Sequence, residues 1–200
     1  MKLGIYGGTF NPVHNGHLQI AEAAQNQFGL DRILFIPACI PPHKGPDEGG
    51  LAAGGDRMAM IRLACKGRAG WECDELELRR GGASYTVDTL KDLRARHPTA
   101  SLFLIVGSDN LLTFDRWRDP DKAASMAVIL VYERPAFGLP PDLAAFGRRL
   151  KLKLDARRIQ GAPVDISSSE IRRRIREKKT VSELVPSGVL SYIQAHGLYQ

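Results

Sequence analysis

Short apolar runs alternate with longer stretches of helical periodicity along the first two thirds of the chain. Runs rich in Ile, Val, Leu and Phe predict strands at residues 2–6, 32–37, 73–78, 102–106 and 127–132. The run at 102–106, Leu-Phe-Leu-Ile-Val, is apolar on both faces. Such a run is typical of a strand that is buried inside a parallel sheet.

The segments between these runs carry helical patterns. Helices are predicted at residues 17–28, 56–66, 86–97 and 120–125. The third has Ser84 or Thr86 as an N-cap, with Leu90 and Leu93 at helical spacing. Alternation of strands and helices predicts right-handed βαβ units and therefore an α/β fold built on a doubly wound parallel sheet.

Two stretches depart from this alternation. Residues 40–55 are rich in Pro and Gly, which predicts a long surface loop. Beyond residue 135 we expect a final strand near 157–160 and two helices at 168–178 and 187–196. We therefore expect an α/β core over residues 1–160 and a small C-terminal helical subdomain over residues 161–200, packed together as one functional unit.

Composition indicates an ordinary globular protein, with 44% apolar and 25% charged residues in a chain of 200. No run approaches the ~18 apolar residues of a membrane-spanning helix, and the apolar N-terminal run is too short for a signal peptide. The three cysteines, Cys39, Cys65 and Cys73, are not spaced as a zinc or redox motif. We therefore expect a cytoplasmic protein without a membrane partner.

The net charge of +6 favours an anionic ligand. Much of the excess lies at residues 148–158 and 172–179, where solvated surfaces would account for most of the cations. Composition alone does not distinguish RNA from a small polyphosphate such as ATP.

The first predicted strand ends in Gly7-Gly8-Thr9-Phe10-Asn11-Pro12-Val13-His14-Asn15-Gly16-His17, and a helix follows. Glycines at such a turn let the backbone approach an anion, and the helix directs its open N–H groups toward it. The spacing is not the GxGxxG of redox dinucleotide proteins. The two histidines could ligate a metal, but no third ligand lies nearby in the sequence.

This segment resembles the signature of the HxGH nucleotidyltransferase superfamily, and in detail that of the bacterial nicotinate-mononucleotide adenylyltransferases. Further matches follow in the same order: Pro41-Pro42-His43-Lys44, Ser84-Tyr85-Thr86 with Asp88-Thr89-Leu90, Gly107-Ser108-Asp109 with Trp117, Glu133-Arg134-Pro135, and Ile166-Ser167-Ser168-Ser169-Glu170-Ile171-Arg172. The chain departs from the family pattern at Ser169, usually threonine, and at Ala83, where the family often has proline. The stretches 47–55 and 148–153 are not explained by the resemblance.

The resemblance implies a Rossmann-like nucleotidyltransferase that transfers the adenylyl group of ATP to nicotinate mononucleotide. The products would be nicotinate adenine dinucleotide and pyrophosphate, as a step of NAD biosynthesis. The mononucleotide phosphate would attack the ATP α-phosphorus directly. Because that phosphate is already ionised at neutral pH, catalysis would depend on positioning and on charge stabilisation.

The resemblance also implies roles for individual residues. The catalytic residues would be His14, His17, Lys44 and Arg172. ATP would be bound by Gly8, Thr9, Phe10, His14, His17, Gly107, Asp109, Ser167, Ser168 and Arg172. The pyridine mononucleotide would be bound by Lys44, Tyr85, Thr86, Trp117 and Arg134. We expect Mg²⁺ to arrive with ATP, carried by the phosphates, and no metal site made by the protein itself.

Other interpretations stay open at this point. The acceptor could be nicotinamide mononucleotide; phosphopantetheine is less compatible with Pro41-Pro42-His43-Lys44 and Trp117. A non-catalytic, basic RNA-binding domain would need aromatic and cationic side chains interleaved on an exposed sheet, whereas the five runs are apolar. A regulatory ATP-binding domain would share the fold. We expect no nucleic-acid partner, and the oligomeric state stays open.

Overall fold

The structure is a computed structural model and describes residues 1–41, 50–161 and 165–200. The strands are β1 Lys2–Gly8, β2 Arg32–Pro37, β3 Trp71–Cys73, β4 Ser101–Gly107, β5 Val128–Tyr132 and β6 Ala156–Arg158. The helices are α1 Asn15–Phe28, α2 Gly54–Cys65, α3 Leu76–Arg80, α4 Thr86–Arg96, α5 Ser108–Leu112, α6 Pro120–Met126, α7 Leu143–Arg149, α8 Ser168–Arg176 and α9 Ser187–Ala195. A 3₁₀ turn spans Phe114–Arg116.

The six strands form one parallel sheet in the order β3-β2-β1-β4-β5-β6. The predicted doubly wound parallel sheet is therefore confirmed. Strand order reverses between β1 and β4, where Ile5 lies opposite Leu104. In open α/β sheets this switch point is where ligands bind, outside the carboxyl ends of the strands.

Apolar side chains of the sheet alternate between two cores, one on each face. On β1, Leu3 and Ile5 belong to one cluster, whereas Tyr6 belongs to the other. The cluster around Tyr6 includes buried residues of α1, α2, α8 and α9, and the cluster around Ile5 includes those of α4, α5, α6 and α7. Both faces of the sheet are thereby covered, as a parallel sheet requires.

The strand predicted at 73–78 is wrong. Strand β3 ends at Cys73, and the residues beyond it turn into helix α3. The alternation of Leu76 and Leu78 with acidic residues resembled a strand. However, the Asp74 side chain accepts a hydrogen bond from the backbone N–H of Leu76 at 2.9 Å, which starts the helix. The acidic residue between the leucines, Glu77, is buried and accepts a bond from Thr89 Oγ1 at 2.6 Å.

Three smaller expectations also need correction. Helix α7 was not predicted; it is only two turns long and is capped by Asp142, which accepts from the backbone N–H of Ala145. The last strand lies at Ala156–Arg158 rather than 157–160, and it is polar. The loop predicted at 40–55 ends earlier, because α2 begins at Gly54. Its residues 42–49 lie outside the described residues.

Residues beyond 165 pack into the same core as the sheet. Val181, Val185, Val189 and Ile193 are all buried in the cluster that contains Tyr6. Tyr192 of α9 also donates its hydroxyl to Asp56 Oδ1 of α2 at 3.0 Å. Within the described residues, no helix combines the length and the apolar character that crossing a bilayer demands.

We predict that truncating Ile193 destabilises the whole molecule in one transition. Ile193 is 2% exposed in the shared core, so Ile193→Ala leaves a cavity that costs about 2–5 kcal/mol in the free energy of unfolding. The matched control is Gln194→Ala, on the exposed side of the same helix, which should cost less than about 0.5 kcal/mol. Denaturant titration followed by circular dichroism and by tryptophan fluorescence measures both. Two separate transitions would show instead that the C-terminal helices unfold on their own.

Candidate active site

A cleft of about 620 Å³ opens at the carboxyl ends of β1 and β4. Its volume is within the range of small-molecule sites, roughly 300–1,000 Å³. The cleft is lined by most of the residues predicted from sequence: Gly8, Thr9, Phe10, His14, His17, Tyr85, Thr86, Gly107, Asp109, Trp117, Arg134, Ser167 and Ser168. Segments up to 160 residues apart in the chain therefore meet at the switch point.

The two histidines stand at the start of α1, directly after the loop that follows β1. Their rings stack, with centroids 3.7 Å apart and planes 28° from parallel. The backbone N–H of His14 donates to Nδ1 of His17 at 3.2 Å. Because an accepting nitrogen of a neutral imidazole carries no hydrogen, the hydrogen of His17 is on Nε2.

Both histidines are held in the neutral form. Burial, with a smaller contribution from the nearby Arg134 cation, lowers the pKa of His14 to about 3. Burial also holds the pKa of His17 well below its ordinary value, with smaller contributions from His14 and Arg134. At neutral pH these rings can therefore donate hydrogen bonds without carrying charge.

Arg134, two residues beyond β5, is a cation close enough to this pair to lower the pKa of both rings. Its Nε lies 3.0 Å from Asp109 Oδ1, and its Nη2 donates to the hydroxyl of Tyr132 at 2.9 Å. The resemblance assigned Arg134 to the pyridine nucleotide and Asp109 to ATP, and the structure brings these two side chains together at the ends of β4 and β5. Gly107 makes this possible, because a Cβ there would collide with Asp109 Oδ1 and lie 2.8 Å from Arg134 Nε.

An aromatic region forms the other end of the cleft. Trp117 is half-buried, its ring centroid 4.7 Å from that of Phe114. Its indole Nε1 is buried and has no hydrogen-bond partner among the described residues. Tyr85 lies under the Arg118 guanidinium at 4.8 Å and immediately precedes α4. The first amides of α4, beginning at Thr86, are open to a ligand because a helix leaves its first N–H groups unsatisfied.

Helix α8 contributes its N-terminus to the cleft. The Ser167 side chain caps the helix by accepting from the backbone N–H of Glu170, and Ser168 Oγ donates to the carbonyl oxygen of Pro12 at 2.9 Å. The two hydroxyls thus serve the protein itself, and the first backbone amides of the helix are left to face a ligand.

Arg172, which the resemblance assigned to catalysis, is not among the described residues that line the cleft. Arg172 is only 7% exposed, and its Nη1 donates to the carbonyl oxygen of Asn11 at 2.9 Å. Its position therefore supports the loop after β1. Lys44, with Pro42 and His43, lies outside the described residues.

Comparison with known proteins places this arrangement in a family. The family model described as "Cytidylyltransferase-like" matches residues 5–174, which include the second half of β1, both histidines and Arg172. The chain belongs to the cytidylyltransferase-like family. Within it, the chain is 39% identical over 200 residues to "Probable nicotinate-nucleotide adenylyltransferase" of Salinibacter ruber, covering 100% of this chain and 98% of that protein. A protein of the same name from Geobacter metallireducens is 40% identical over 215 residues, with the same coverage.

Solved structures give the same fold. The nicotinic acid mononucleotide adenylyltransferase of Plasmodium falciparum, solved in complex with NaAD, superimposes with a TM-score of 0.79 over 99% of this chain and 97% of that one. Its sequence is 20% identical. The resemblance predicted from the motifs of this cytidylyltransferase-like chain is therefore confirmed at the level of family and fold.

Sequence reasoning missed a buried arginine that supports the cleft. Arg57 of α2 is 2% exposed. Its Nη1 donates to the carbonyl oxygens of Thr9 and Ala38 at 2.9 and 2.7 Å, and its Nε donates to that of Ala52 at 3.0 Å. A signal was present, because position 57 shares a helical face with the apolar Ile61 and Ala64. A cation on such a face indicates a buried, hydrogen-bonded role.

The described residues of this chain do not form a site of their own for a divalent metal. No group of three or more His, Cys, Asp or Glu side chains is close enough there to hold an ion. A metal carried into the cleft by ligand phosphates would not require one.

We predict that the histidines make stability depend on pH. The folded pKa of His14, about 3, is below its ordinary value of 6.5, so the unfolded chain binds more protons between these values. The free energy of unfolding should therefore be highest above pH 6.5 and decrease as pH falls, by roughly 2 kcal/mol at pH 5 for His14 alone. Urea titrations from pH 8 to 5 measure this. His14→Gln should show a shallower dependence, and parallel curves for the two proteins would refute the assignment.

Proposed function

We propose that this chain transfers the adenylyl group of ATP to nicotinate mononucleotide, giving nicotinate adenine dinucleotide and pyrophosphate, as a step of NAD biosynthesis. The observation that carries the proposal is a single cleft with two chemically different ends. One end has two neutral histidines, a glycine-rich turn and a helix N-terminus. The other end has an aromatic ring beside open backbone amides. The names of the full-length relatives support the same reaction.

The reaction is a direct displacement at phosphorus. An oxygen of the mononucleotide phosphate forms a bond to the ATP α-phosphorus, while the bond from that phosphorus to the bridging oxygen breaks. The electron pair of the broken bond leaves with pyrophosphate. An ionised phosphate is already the nucleophile, so no side chain needs to be activated for attack.

His17 is suited to stabilise the transferred group. Its Nδ1 is occupied by the N–H of His14, so Nε2–H is the donor that can meet an oxygen of the α-phosphoryl group. We propose that Thr9 and His14 hold the triphosphate, together with the backbone at Gly8, Phe10 and Gly107 and the first amides of α8. Donors that are fixed before the reaction lower the barrier without reorganisation at the moment of transfer.

Charge is supplied next to these neutral donors. Arg134 lies beside both histidines, and its contact with Asp109 keeps its side chain in place. We propose that an incoming phosphate or ribose competes for this pair: the guanidinium is suited to phosphate, and the carboxylate to ribose hydroxyls. We also propose that Lys44 is a further phosphate-binding cation. Arg172 would support the loop after β1 through its bond to Asn11.

Nucleotidyltransferases generally use a divalent metal with ATP, and we propose Mg²⁺ for this one. Asp109, a carboxylate that lines the cleft, is already paired with Arg134. This pairing is compatible with an ion that is held mainly by phosphate oxygens and water. When bound, the ion would neutralise charge that builds up on pyrophosphate.

The other end of the cleft is suited to a pyridine ring that carries a carboxylate. The ring nitrogen is bonded to ribose, so the ring is cationic and can stack on the indole of Trp117, worth roughly 0.5–2 kcal/mol. The carboxylate would accept bonds from N–H groups at Thr86 and after Trp117. Nicotinamide offers an NH₂ group to the same donors and cannot satisfy both.

Two further expectations accompany this function. We propose that residues 1–160 and 161–200 act as one functional unit, which the shared core around Val189 and Ile193 supports. The cytoplasm stays our predicted location, and the oligomeric state is left open.

Turnover of the two mononucleotides tests the function and its acid preference together. We expect pyrophosphate release with ATP, Mg²⁺ and nicotinate mononucleotide, and a kcat/KM about 10²–10⁴ higher than with nicotinamide mononucleotide, from two charge-assisted hydrogen bonds. Trp117→Ala should weaken binding of both mononucleotides while keeping most of this preference. Trp71→Phe, on β3 outside the cleft, is the control. Absence of turnover with either mononucleotide would refute the function, and equal use would make the acceptor specificity wrong.

We predict that His17→Ala mainly lowers kcat. Its donor matters most as charge shifts during transfer, so a loss of about 10²–10³ is expected. His14→Ala should raise KM for ATP more than it lowers kcat, and His97→Ala, outside the cleft, should change neither. Steady-state kinetics with ATP as the varied substrate separates these effects. Near-normal kcat in His17→Ala together with a fall in bound metal would indicate a metal site instead.

A further inference from the structure

We propose that Tyr199, the penultimate residue, is a positioning residue for ATP. Its hydroxyl donates to Asn11 Oδ1 at 2.8 Å, across 188 positions of sequence. Asn11 lies in the segment of residues 8–14, which runs from the last residue of β1 to the residue before α1 and which we call the phosphate loop. The proposal rests on the proposed function, because it takes ATP as the ligand of this loop.

The end of α9 is built to place this tyrosine. Gly197 has φ +58°, and the N–H of Leu198 donates to the carbonyl oxygen of Ile193 at 3.0 Å. This is the left-handed cap that terminates a helix and reverses the chain. Tyr199 is itself left-handed, with φ +66°, which is uncommon for a residue other than glycine. The tail thus turns back toward the molecule instead of extending into solvent.

The side chain of Asn11 is the point where this tail meets the segment at residues 50–52. It is 4% exposed, and its Oδ1 also accepts from the backbone N–H of Ala52 at 3.0 Å. Its Nδ2 donates to the carbonyl oxygen of Gly50 at 3.2 Å. A backbone N–H can only donate, so Oδ1 must face Ala52, and the orientation of the amide is fixed. In that orientation Tyr199 is the donor of the remaining bond, and burial keeps the pKa of its hydroxyl raised.

The groups that hold the phosphate loop come from distant elements. The carbonyl oxygen of Thr9 accepts from Arg57 of α2, that of Asn11 accepts from Arg172 of α8, and that of Pro12 accepts from Ser168. These bonds fix the main chain of the loop, and the bond from Tyr199 fixes the side chain of its central residue. Since Thr9 and His14 stand two and three positions from Asn11, rotation of that amide would displace the groups proposed to hold the triphosphate.

The other end of the cleft is built independently. Tyr85 and Thr86 belong to the start of α4, and Trp117 packs on Phe114, which is buried in the core of the opposite sheet face. Loss of the Tyr199 hydroxyl should therefore affect ATP and leave the pyridine mononucleotide largely unaffected. A general loosening of the fold would affect both substrates alike.

The test compares Tyr199→Phe with Tyr192→Phe. The second variant also removes one tyrosine hydroxyl from the C-terminal region, but that hydroxyl bonds Asp56 of α2 and not the phosphate loop. For Tyr199→Phe we expect kcat/KM for ATP to fall about 3–10-fold, as for one hydrogen bond between neutral groups, with KM for nicotinate mononucleotide within about 2-fold of wild type. Tyr192→Phe should match wild type for both substrates. Equal losses for both substrates, equal losses in both variants, or no loss in Tyr199→Phe would overturn the proposal.

A second measurement needs no turnover. Amide hydrogen exchange without substrate should be faster in Tyr199→Phe for residues 8–14 and 50–53, and unchanged for α4 and β4. If the wild-type protein turns over neither mononucleotide, the proposed function is wrong. The exchange measurement still tests whether Tyr199 positions the phosphate loop. Unchanged exchange in residues 8–14 would overturn that role even if activity fell.

Discussion

The geometry of this protein depends on the pairing of β1 with β4 as parallel neighbours. From β1 the chain continues into α1 on one face of the sheet, and from β4 it continues into α5 on the other. Chains that leave adjacent strand ends toward opposite faces cannot cover the edge between them. A cleft at that edge is therefore a consequence of the winding, and Thr9, Asp109 and Arg134, each one or two residues beyond the end of β1, β4 or β5, line it.

The chemistry of the cleft depends on which side chains at this edge of the sheet are charged and which are neutral. Two imidazoles are buried there and remain neutral, because burial penalises their cationic forms and Arg134 adds repulsion. The guanidinium of Arg134 stays charged, because it keeps its proton at any physiological pH, and it is paired with the carboxylate of Asp109. Gly107 is the steric condition for that pair, since any side chain there would occupy the space between the two groups. Neutral donors and a fixed cation side by side are suited to a polyanionic ligand whose charge moves during reaction.

Local patterns predicted what is locally determined. The long strands and the main helices follow from periodicity. The residues that line the cleft were predicted from the resemblance of contiguous motifs, such as the segment 7–17, to those of a known family. The helix α3 was missed because two leucines in alternation cannot by themselves distinguish a strand from a helix. The helix is favoured instead by the bond from the Leu76 N–H to the Asp74 carboxylate and by the burial of Glu77 against Thr89, twelve residues further on.

The supports of the phosphate loop could not be predicted in this way, because their partners are remote. Arg57 reaches a carbonyl 48 positions away, and Arg172 and Tyr199 reach Asn11 across 161 and 188 positions. Sequence spacing carries no information about such contacts; they exist only once the fold is complete.

Overall charge proves a weaker guide to the ligand than the few cations in the cleft. In the two basic stretches, Arg157 pairs with Asp155 at 2.9 Å, and Arg173 pairs with Glu170 and Glu177 at 2.7 and 2.8 Å. Exposed pairs of this kind contribute little to stability, but they cancel much of the local positive potential. Arg116, Arg118 and Arg134, by contrast, line a concave surface, where low-dielectric walls concentrate the field of each cation. Among the described residues, these three guanidinium groups are therefore better placed to attract an anion into the cleft than the exposed cations that make up most of the net charge of +6.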